Sequence, residues 1–292
     1  MKILVTGAGG FIGRNIVEYL SSRNHSVLSP THHELDLMDE HSVSEYIARQ
    51  SIDVIIHGAI KPAQRTVVDR SQILYHNTKM FFNIVRNSNC FNKLLFLSSG
   101  AVYDMEHYVS KMPETYFDTF VPKDEYGFSK YLSAKYIEQV KNITELRIFG
   151  VFGKYEEYAI RFISNVICKV IFDLPITIKQ NRQFDYLYIS DFGQILDYFI
   201  YEDAKYCAYN VTPDQAVDLY SLAEKVLDIA GKKLPIIINK PGIAMEYSGN
   251  NQRLHQEIDL VFTPLDDAIK ELYSWYSTNF HLINKSLLLT DA

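Results

Sequence analysis

The sequence predicts an α/β protein, a doubly wound parallel sheet with a smaller, partly interleaved C-terminal lobe. Strand-length apolar runs alternate with amphipathic helical segments through the first half of the chain, which is the pattern of βαβ units. A glycine-rich turn joins the first apolar run to the first helical segment. The chain has 292 residues, 47% of them hydrophobic, which is enough to bury one large core and a smaller lobe.

The strands are expected at nearly continuous apolar runs, because a strand covered by helices on both faces has no polar face. Five runs have strand length: residues 2–6, 26–29, 54–57, 94–98 and 146–149. The first helix is expected over residues 11–20, where apolar residues recur at the spacing of one helix face. The glycine-rich turn then lies at the end of the first strand.

The pattern changes after Gly153. A long apolar-faced helix is expected over residues 158–172, followed by an extended piece at residues 175–179 and by proline-interrupted segments. Residues 191–201 have the pattern of a late helix of the main sheet. We therefore divide the chain into a sheet domain, residues 1–153, and a smaller lobe, residues 154–292, with late sheet elements interleaved.

Composition and charge exclude several classes of function. The net charge is −6 and no basic block occurs, so neither nucleic acid nor an anionic membrane is an expected partner. No run approaches the roughly 20 apolar residues that span a bilayer, and the N-terminus lacks the pattern of a signal peptide. The three cysteines lack metal-ligand spacing. We expect a cytoplasmic protein with reduced thiols, no bound metal and a small-molecule partner.

The glycine-rich turn, residues 6–13 with the sequence TGAGGFIG, has the pattern of a phosphate-binding loop. Gly7, Gly10 and Gly13 supply glycine where the turn is tight, where backbone approaches a pyrophosphate and where helix packs on strand. Phe11 and Ile12 open a helix whose free N–H groups and positive dipole end attract an anion. These five residues are expected to bind a dinucleotide; a glycine turn without a ligand is the alternative.

Tyr126 and Lys130 are the expected acid–base pair. Residues four apart share a helix face, so the Lys130 ammonium is expected beside the Tyr126 phenol, where it lowers the pKa of that phenol towards neutrality. The spacing alone is weak evidence in a chain with 21 tyrosines. The position of the pair strengthens the prediction, because the pair follows an apolar strand that ends in Ser98 and Ser99.

Three motifs, TGAGGFIG at residues 6–13, SSGAVY at 98–103 and YGFSK at 126–130, resemble those of extended short-chain dehydrogenases/reductases, the family of NAD-dependent epimerases and dehydratases that act on nucleotide sugars. The resemblance implies a Rossmann fold and a catalytic set of Ser99, Tyr126 and Lys130. In that set Ser99 binds the reacting sugar oxygen and the Tyr126 hydroxyl, and Lys130 also holds the nicotinamide ribose.

The same resemblance implies further cofactor contacts. Gly58 and Ala59, at the end of the third strand, are expected close to the dinucleotide. Asp36 and Leu37 are expected near the adenine. A loop acid without a ligand is the alternative for Asp36.

The end of the second strand decides between NAD(H) and NADP(H). An acid there binds the ribose hydroxyls of NAD and repels the 2′-phosphate of NADP. Residues 28–33 contain no acid, whereas Arg14 and His32 are available to face a phosphate. NADP(H) is therefore favoured, and NAD(H) stays open.

The expected reaction is reduction of a 4-keto sugar nucleotide. Gly100, expected at the substrate, and Ala101 stand where 4,6-dehydratases of the family carry an Asp–Glu pair, so dehydration is disfavoured. Residues 31–39 resemble the same region of dTDP-4-dehydrorhamnose reductases and GDP-fucose synthases, and Gly150 replaces an asparagine that epimerases use on the diphosphate. A 4-epimerase with tightly held NAD is the alternative. A non-catalytic dinucleotide-binding sensor or scaffold is a remote one.

Two arginines of the second half are expected at the diphosphate of the nucleotide sugar. Phe184 stands where the family has its clamping arginine, which leaves Arg182 as the nearby substitute, and Arg253 is a second candidate. A solvated arginine is the alternative for either. Members of the family often dimerise through the helices that here carry Asn77 and Tyr126, so the resemblance makes a homodimer possible. Packing of the same apolar faces in the core is the alternative.

Overall fold

A parallel sheet forms the centre of the molecule, as the sequence predicts, and it has six strands instead of the five predicted. The computed structural model describes residues 1–63 and 69–289. The strands are β1 (Lys2–Thr6), β2 (Ser26–Leu28), β3 (Val54–His57), β4 (Lys93–Ser99), β5 (Ile143–Ile148), β6 (Gly150–Phe152), β7 (Ile176–Asn181), β8 (Gln183–Phe184), β9 (Tyr186–Tyr188), β10 (Ala208–Val211), β11 (Val217–Asp218) and β12 (Ile236–Ile243). The helices are α1 (Phe11–Ser22), α2 (Glu40–Gln50), α3 (Ile73–Val85), α4 (Glu125–Ile137), α5 (Phe162–Ile171), α6 (Ile189–Tyr201), α7 (Leu219–Ala230), α8 (Gln252–Glu257) and α9 (Leu265–Thr278).

The central sheet has the order β10-β5-β4-β3-β1-β2, and its described pairings are all parallel. β1 and β3 have the predicted bounds, and β2 is one residue shorter. β5 begins earlier than predicted because Thr144 and Glu145 interrupt its apolar run. Glu145 is nevertheless buried, since Arg147 on the same strand holds its carboxylate at 2.8 Å.

The sixth strand comes from the second half of the chain. β10 pairs with β5 in parallel, with Ala208 opposite Glu145 and Val211 opposite Ile148. α6, which precedes it, packs beside α1. The central layer therefore takes α6 and β10 from beyond Gly153.

Most of the remaining elements beyond Gly153 pack with one another. Helices α5, α7 and α9 pack on one another, and three ladders pair β6 with β9, β7 with β12 and β8 with β11. α5 begins at Phe162, later than predicted, because Asn165 Nδ2 binds the carbonyls of Tyr158 and Ala159 and so closes the preceding turn. None of the helices in the described ranges is long and apolar enough to cross a membrane.

Candidate active site

The glycine-rich turn forms an open cradle at the start of α1. Gly7 has a φ of +74°, and a Cβ on it would lie 2.7 Å from the Ala59 nitrogen. A Cβ on Gly13 would lie 2.2 Å from the Gly7 carbonyl oxygen, so helix and turn touch. Gly10 precedes α1 without a side-chain cap, which leaves the first N–H groups of the helix, before that of Arg14, free for an anion. The turn fits a dinucleotide pyrophosphate.

The end of β3 closes one side of this cradle. The N–H of Gly58 donates to the Thr6 carbonyl at 3.2 Å, and the Thr6 hydroxyl is bonded to His57 Nδ1 at 2.7 Å. Burial, and then the charge of Lys130, lower the pKa of His57 to about 3, so its imidazole is neutral. Gly58 and Ala59 therefore form a fixed wall beside the turn.

The other predicted cofactor residues lie farther along α1 and after β2. Asp36 is exposed, and its carboxylate accepts from the N–H two residues on at 2.9 Å. Leu37 is buried in the core, so it has backbone rather than side chain to offer a ligand. His32 is exposed. The Arg14 guanidinium lies 3.6 Å from the Tyr155 ring centroid, and a contact with a cofactor phosphate would require it to leave that ring.

Tyr126 meets Ser99 where α4 begins beside the end of β4. Asp124 caps α4 by accepting from the N–H of Gly127 at 2.8 Å. A Cβ on Gly127 would lie 2.7 Å from the Ala101 carbonyl oxygen, so the helix start packs closely on the residues after β4. Tyr126 is thereby brought close enough to Ser99 for the serine to act on the pKa of its phenol. Ser99 Oγ also accepts from the N–H of Ala101 at 3.2 Å.

Lys130 lies one helical turn from Tyr126, as predicted, but its ammonium binds elsewhere. Its side chain is buried, and Nζ donates to the Leu97 carbonyl at 3.0 Å. Nζ lies 4.5 Å from the Phe96 ring centroid and 5.8 Å from that of Tyr126. Burial lowers the pKa of Lys130 to about 8, against the opposite pull of Glu145.

The predicted effect of Lys130 on the Tyr126 phenol is therefore wrong for this structure. Burial raises the pKa of Tyr126 above its ordinary value, while the nearby Ser99 and the charge of Arg161 act in the opposite direction. Lys130 is not among the groups that shift this pKa, and its ammonium lies 5.8 Å from the Tyr126 ring centroid. Tyr126 consequently carries its proton at neutral pH.

Tyr247 is a second phenol at this centre that the sequence did not reveal. A Cβ on Gly100 would lie 2.5 Å from the Tyr247 hydroxyl oxygen. Burial raises the pKa of Tyr247, and the nearby Ser99 acts in the opposite direction, as it does on Tyr126. Nothing in the local sequence marks one tyrosine among 21, because its partners are remote in the chain.

Arg182 and Arg161 place positive charge beside the two phenols. Arg182 Nε is buried without a hydrogen-bond partner, and its Cζ lies 4.6 Å from the Phe184 ring centroid. Arg161, exposed at the start of α5, was not predicted as a site residue. The charges of both arginines act on Tyr186. Within residues 1–63 and 69–289 neither has a carboxylate at ion-pair distance, so the pair is available to an anion.

Arg253, the other predicted substrate residue, is not brought to this centre. Its Nη1 donates to the Ala208 carbonyl at 3.4 Å, and its Cζ lies 4.6 Å from the Tyr206 ring centroid. Ala208 begins β10, so the guanidinium is held at the amino end of a strand whose carboxyl end faces the site. The described part of the chain contains no cluster of His, Cys, Asp or Glu suited to a metal ion.

Comparisons with known proteins agree with this geometry. The model of the NAD dependent epimerase/dehydratase family matches residues 3–212. The GDP-L-colitose synthase of Yersinia pseudotuberculosis is 27% identical over 186 residues, which are 59% of this chain and 60% of that protein. The chain thus spans about three fifths of that relative. The dTDP-4-dehydro-6-deoxyglucose reductase of Escherichia coli is 26% identical over 92% of this chain and 96% of its own length.

A solved structure shares the fold along nearly the whole chain. It is a GDP-D-glycero-L-gluco-heptose synthase from Campylobacter jejuni in the presence of NADPH, with a TM-score of 0.83. The match covers 94% of this chain and 98% of that one, at 18% identity. The likeness extends over both the sheet and the lobe above it.

Proposed function

Because the chain belongs to the NAD dependent epimerase/dehydratase family, we propose that it is an NAD(P)-dependent oxidoreductase that reduces the 4-keto group of a nucleotide-activated sugar. The observation that carries this proposal is that Ser99, at the end of β4, and the protonated Tyr126, at the start of α4, lie together at the carboxyl end of the sheet, where the glycine cradle also opens. Ligands of open parallel sheets bind at this end.

The protonation state of Tyr126 favours reduction. When bound, a nicotinamide dinucleotide supplies the hydride. Reduction then needs an acid at the sugar oxygen, and a neutral phenol is a sufficient donor for the negative charge that develops there. Epimerisation begins with the removal of a hydroxyl proton, which needs the phenolate that burial disfavours at Tyr126.

Gly100 supports the same choice over dehydration. A Cβ at position 100 would lie 2.5 Å from the Tyr247 hydroxyl oxygen. An acidic residue there would therefore require Tyr247 to move. The chain therefore keeps the proton-transfer group of Tyr126 and excludes the extra acid–base pair that an elimination requires.

NADP(H) is the preferred cofactor in this proposal, with NAD(H) as the alternative. No acid follows β2 within residues 28–33, so nothing there repels a 2′-phosphate. The C. jejuni heptose synthase was solved in the presence of NADPH. His32 is the exposed residue that faces this phosphate in our proposal, and Arg14 joins it after leaving Tyr155.

The substrate diphosphate binds to Arg161 and Arg182. Both guanidiniums lie near Tyr186, and Arg182 has a buried, unpartnered Nε. A diphosphate provides acceptors for both arginines, whereas a neutral sugar would leave these charges uncompensated. Because the whole chain has a net charge of −6, the two arginines form a local region of positive charge.

The homodimer and the cytoplasmic location predicted from the sequence are part of the proposal. On α3, Tyr75 and Phe82 are exposed by 56% and 40%, which gives the dimer an apolar face beside α4. Cys168 is buried and free, as expected for a reducing compartment. Its nicotinamide and nucleotide-sugar partners are also cytoplasmic metabolites in this proposal.

The test is the consumption of NADPH with a panel of nucleotide 4-keto-6-deoxy sugars, for the wild type and Tyr126→Phe. We expect the substitution to lower kcat about 10²- to 10⁴-fold, because it removes the proton donor, with dinucleotide affinity kept. An unchanged rate would contradict the assignment. Dinucleotide binding without turnover of any sugar would favour the sensor, and isomerisation of a sugar without net NADPH consumption would favour the epimerase.

A further inference from the structure

A cavity of about 230 Å³ lies between the start of α1 and the C-terminal part of the lobe. Gly10 and Phe11 line it from the glycine turn, and Trp275 lines it from α9. Ser99 and Tyr126 do not line it. The cavity is therefore separate from the candidate reaction centre.

Aromatic rings make up much of the cavity wall. The rings of Tyr155 and Trp275 are nearly perpendicular, with centroids 5.4 Å apart. The rings of Tyr158 and Tyr276 are also close to perpendicular, with centroids 6.4 Å apart. Such walls present both ring faces and ring edges, which pack well on another aromatic ring. A flat ring system therefore fits the cavity.

Two phenols of the wall have hydrogen-bonding capacity that the protein leaves unused. Tyr276 is 3% exposed, and its hydroxyl has no hydrogen-bond partner among the described residues. Burial raises the pKa of this phenol, and the nearby Ser164 acts in the opposite direction without coming within hydrogen-bond distance. The Tyr158 hydroxyl accepts from the N–H of Asn284 at 2.8 Å and keeps its own hydrogen. A buried hydroxyl without a partner is costly, so an acceptor fits here.

Glu156, a third polar residue of the wall, is able both to donate and to accept. The residue is 6% exposed, and its Oε2 accepts from Ser164 Oγ at 2.6 Å. Burial raises the pKa of Glu156 to about 8, so the carboxyl carries a proton at neutral pH. Donors and acceptors side by side are what the edge of a nucleobase presents. The polar part of the wall therefore matches such an edge.

Arg14 brings positive charge to the same cavity. Its side chain is exposed, lines the cavity and lies with its guanidinium 3.6 Å from the Tyr155 ring centroid. Its carboxylate partner, Glu18, is 3.7 Å away and is shared with Lys154, which approaches it to 2.5 Å. The guanidinium is therefore only partly neutralised, and its planar fork is suited to a phosphate. An anionic group attached to the bound ring has a partner here.

We propose that this cavity is a binding site for a nucleoside monophosphate. The base packs against Tyr155 and Trp275. Its edge bonds to Glu156 and Tyr276, and its phosphate binds to Arg14. Sites that enclose a drug-sized ligand have about 300–1,000 Å³, so this cavity encloses one ring system and leaves the rest of the nucleotide outside. The inference goes beyond the proposed function, which assigns no ligand to the cavity.

The test uses the fluorescence of Trp275, which is the only tryptophan of the chain and lines the cavity. The protein is titrated without dinucleotide, because the proposed function gives Arg14 to the 2′-phosphate of NADP(H). The ligands are GMP, dTMP and UMP, with benzoate and inorganic phosphate for comparison. We expect saturable quenching by at least one nucleotide with a Kd below about 1 mM, and weaker or no binding of benzoate and phosphate.

Tyr276→Phe is the decisive variant, because it keeps the ring and removes a hydroxyl that has no protein partner. We expect the Kd to rise about three- to tenfold, the equivalent of one lost hydrogen bond, with an unchanged thermal unfolding midpoint. Tyr273→Phe is the matched control, since Tyr273 is on the same helix and does not line the cavity. Arg182→Met, at the proposed diphosphate site, is expected to leave the Kd unchanged as well.

Four results would each overturn the inference. Absence of saturable quenching by all three nucleotides would identify the cavity as a hydration site. Tighter binding of benzoate would exclude the nucleobase, and a wild-type Kd for Tyr276→Phe would exclude the contact with its hydroxyl. Loss of the signal in Arg182→Met would place the nucleotide at the proposed substrate site. None of these results depends on NADPH consumption, so the proposed reductase function is tested separately.

Discussion

Lys130 carries an ammonium in a place where burial makes the charge costly. Only 3% of the residue is exposed, and its pKa is lowered from 10.5 to about 8. One pKa unit corresponds to about 1.4 kcal/mol, so below pH 8 the charge destabilises the fold by up to about 3 kcal/mol. A lysine that destabilises the fold at this position is explained by a need for it in cofactor binding and in the reaction.

Lys130→Met is expected to raise the free energy of unfolding at pH 7 by about 1–3 kcal/mol and to abolish turnover. The folded pKa of about 8 lies below the unfolded value of 10.5. The penalty is therefore complete below pH 8 and fades as the pH rises to 10.5, and the gain in stability fades with it. Urea unfolding at pH 7 and at pH 10 measures both.

Lys135→Met on the same helix is the control for that experiment. Lys135 is partly exposed and pairs with Asp118 at 3.0 Å and Glu138 at 2.7 Å. Replacing Lys135 removes no buried charge, so no gain in stability is expected. A Lys130→Met protein that is less stable than the wild type at both pH values would contradict the buried-charge explanation.

Gly100 and Tyr247 are expected to be coupled through space. In Gly100→Ala the new Cβ meets the Tyr247 hydroxyl at 2.5 Å and the Phe149 ring at 3.0 Å. We expect a loss of about 1–3 kcal/mol of stability, as for overpacking elsewhere. Tyr247→Phe in the Gly100→Ala background removes the closest contact and should restore part of the lost stability. Thermal unfolding of the four proteins gives the coupling, and strictly additive losses would show that the two residues do not touch.

At the scale of elements, the glycine turn has two kinds of glycine. Gly13 is required by packing, because a Cβ there meets the Gly7 carbonyl oxygen at 2.2 Å, whereas a Cβ on Gly9 meets nothing within 4 Å. Gly13→Ala should therefore lower the thermal unfolding midpoint of the ligand-free protein and weaken dinucleotide binding. Gly9→Ala should leave the midpoint unchanged. Equal midpoints for the two variants would contradict this division.

The sequence predicts the elements whose evidence is local. β1 and β3 were predicted correctly at both ends because each contains an uninterrupted apolar run, at residues 3–5 and 54–56. β5 was found only in its second half, because a buried Glu145 looks exposed until Arg147 is seen to hold it. β10 was missed, since its pairing with β5 joins residues far apart in the chain.

The same difference between local and long-range evidence applies to the candidate site. Ser99, Tyr126 and Lys130 belong to motifs with fixed spacing, so the sequence places them together on the end of β4 and the start of α4. Arg161 and Tyr247 come from the lobe, and their approach to Tyr126 depends on tertiary packing that no spacing encodes. The predicted direction of the shift in the Tyr126 pKa was wrong for the same reason. The burial of Tyr126 and the bond from Lys130 to the Leu97 carbonyl both depend on the fold.

At the scale of the whole molecule, the two predicted parts share one buried polar network. The Tyr103 hydroxyl donates to Asn210 Oδ1 on β10 at 2.8 Å and accepts from Arg147 Nη1 at 2.8 Å. Arg147 in turn holds Glu145, and all four side chains are buried. The network crosses the boundary after Gly153, so its polar groups lose partners if the chain is cut there.

We therefore expect residues 1–153 expressed alone to lack cooperative unfolding and dinucleotide affinity, although they contain the glycine turn and the Tyr126 pair. Without β10 and α6, β5 becomes an edge strand, and the ion pair between Glu145 and Arg147 loses its cover. Circular dichroism melting and fluorescence titration with NADPH, against the full chain, measure both properties. Cooperative unfolding of the fragment near the midpoint of the full chain would instead establish residues 1–153 as an independent domain, and the lobe would then be an attachment to the sheet and not a part of its core.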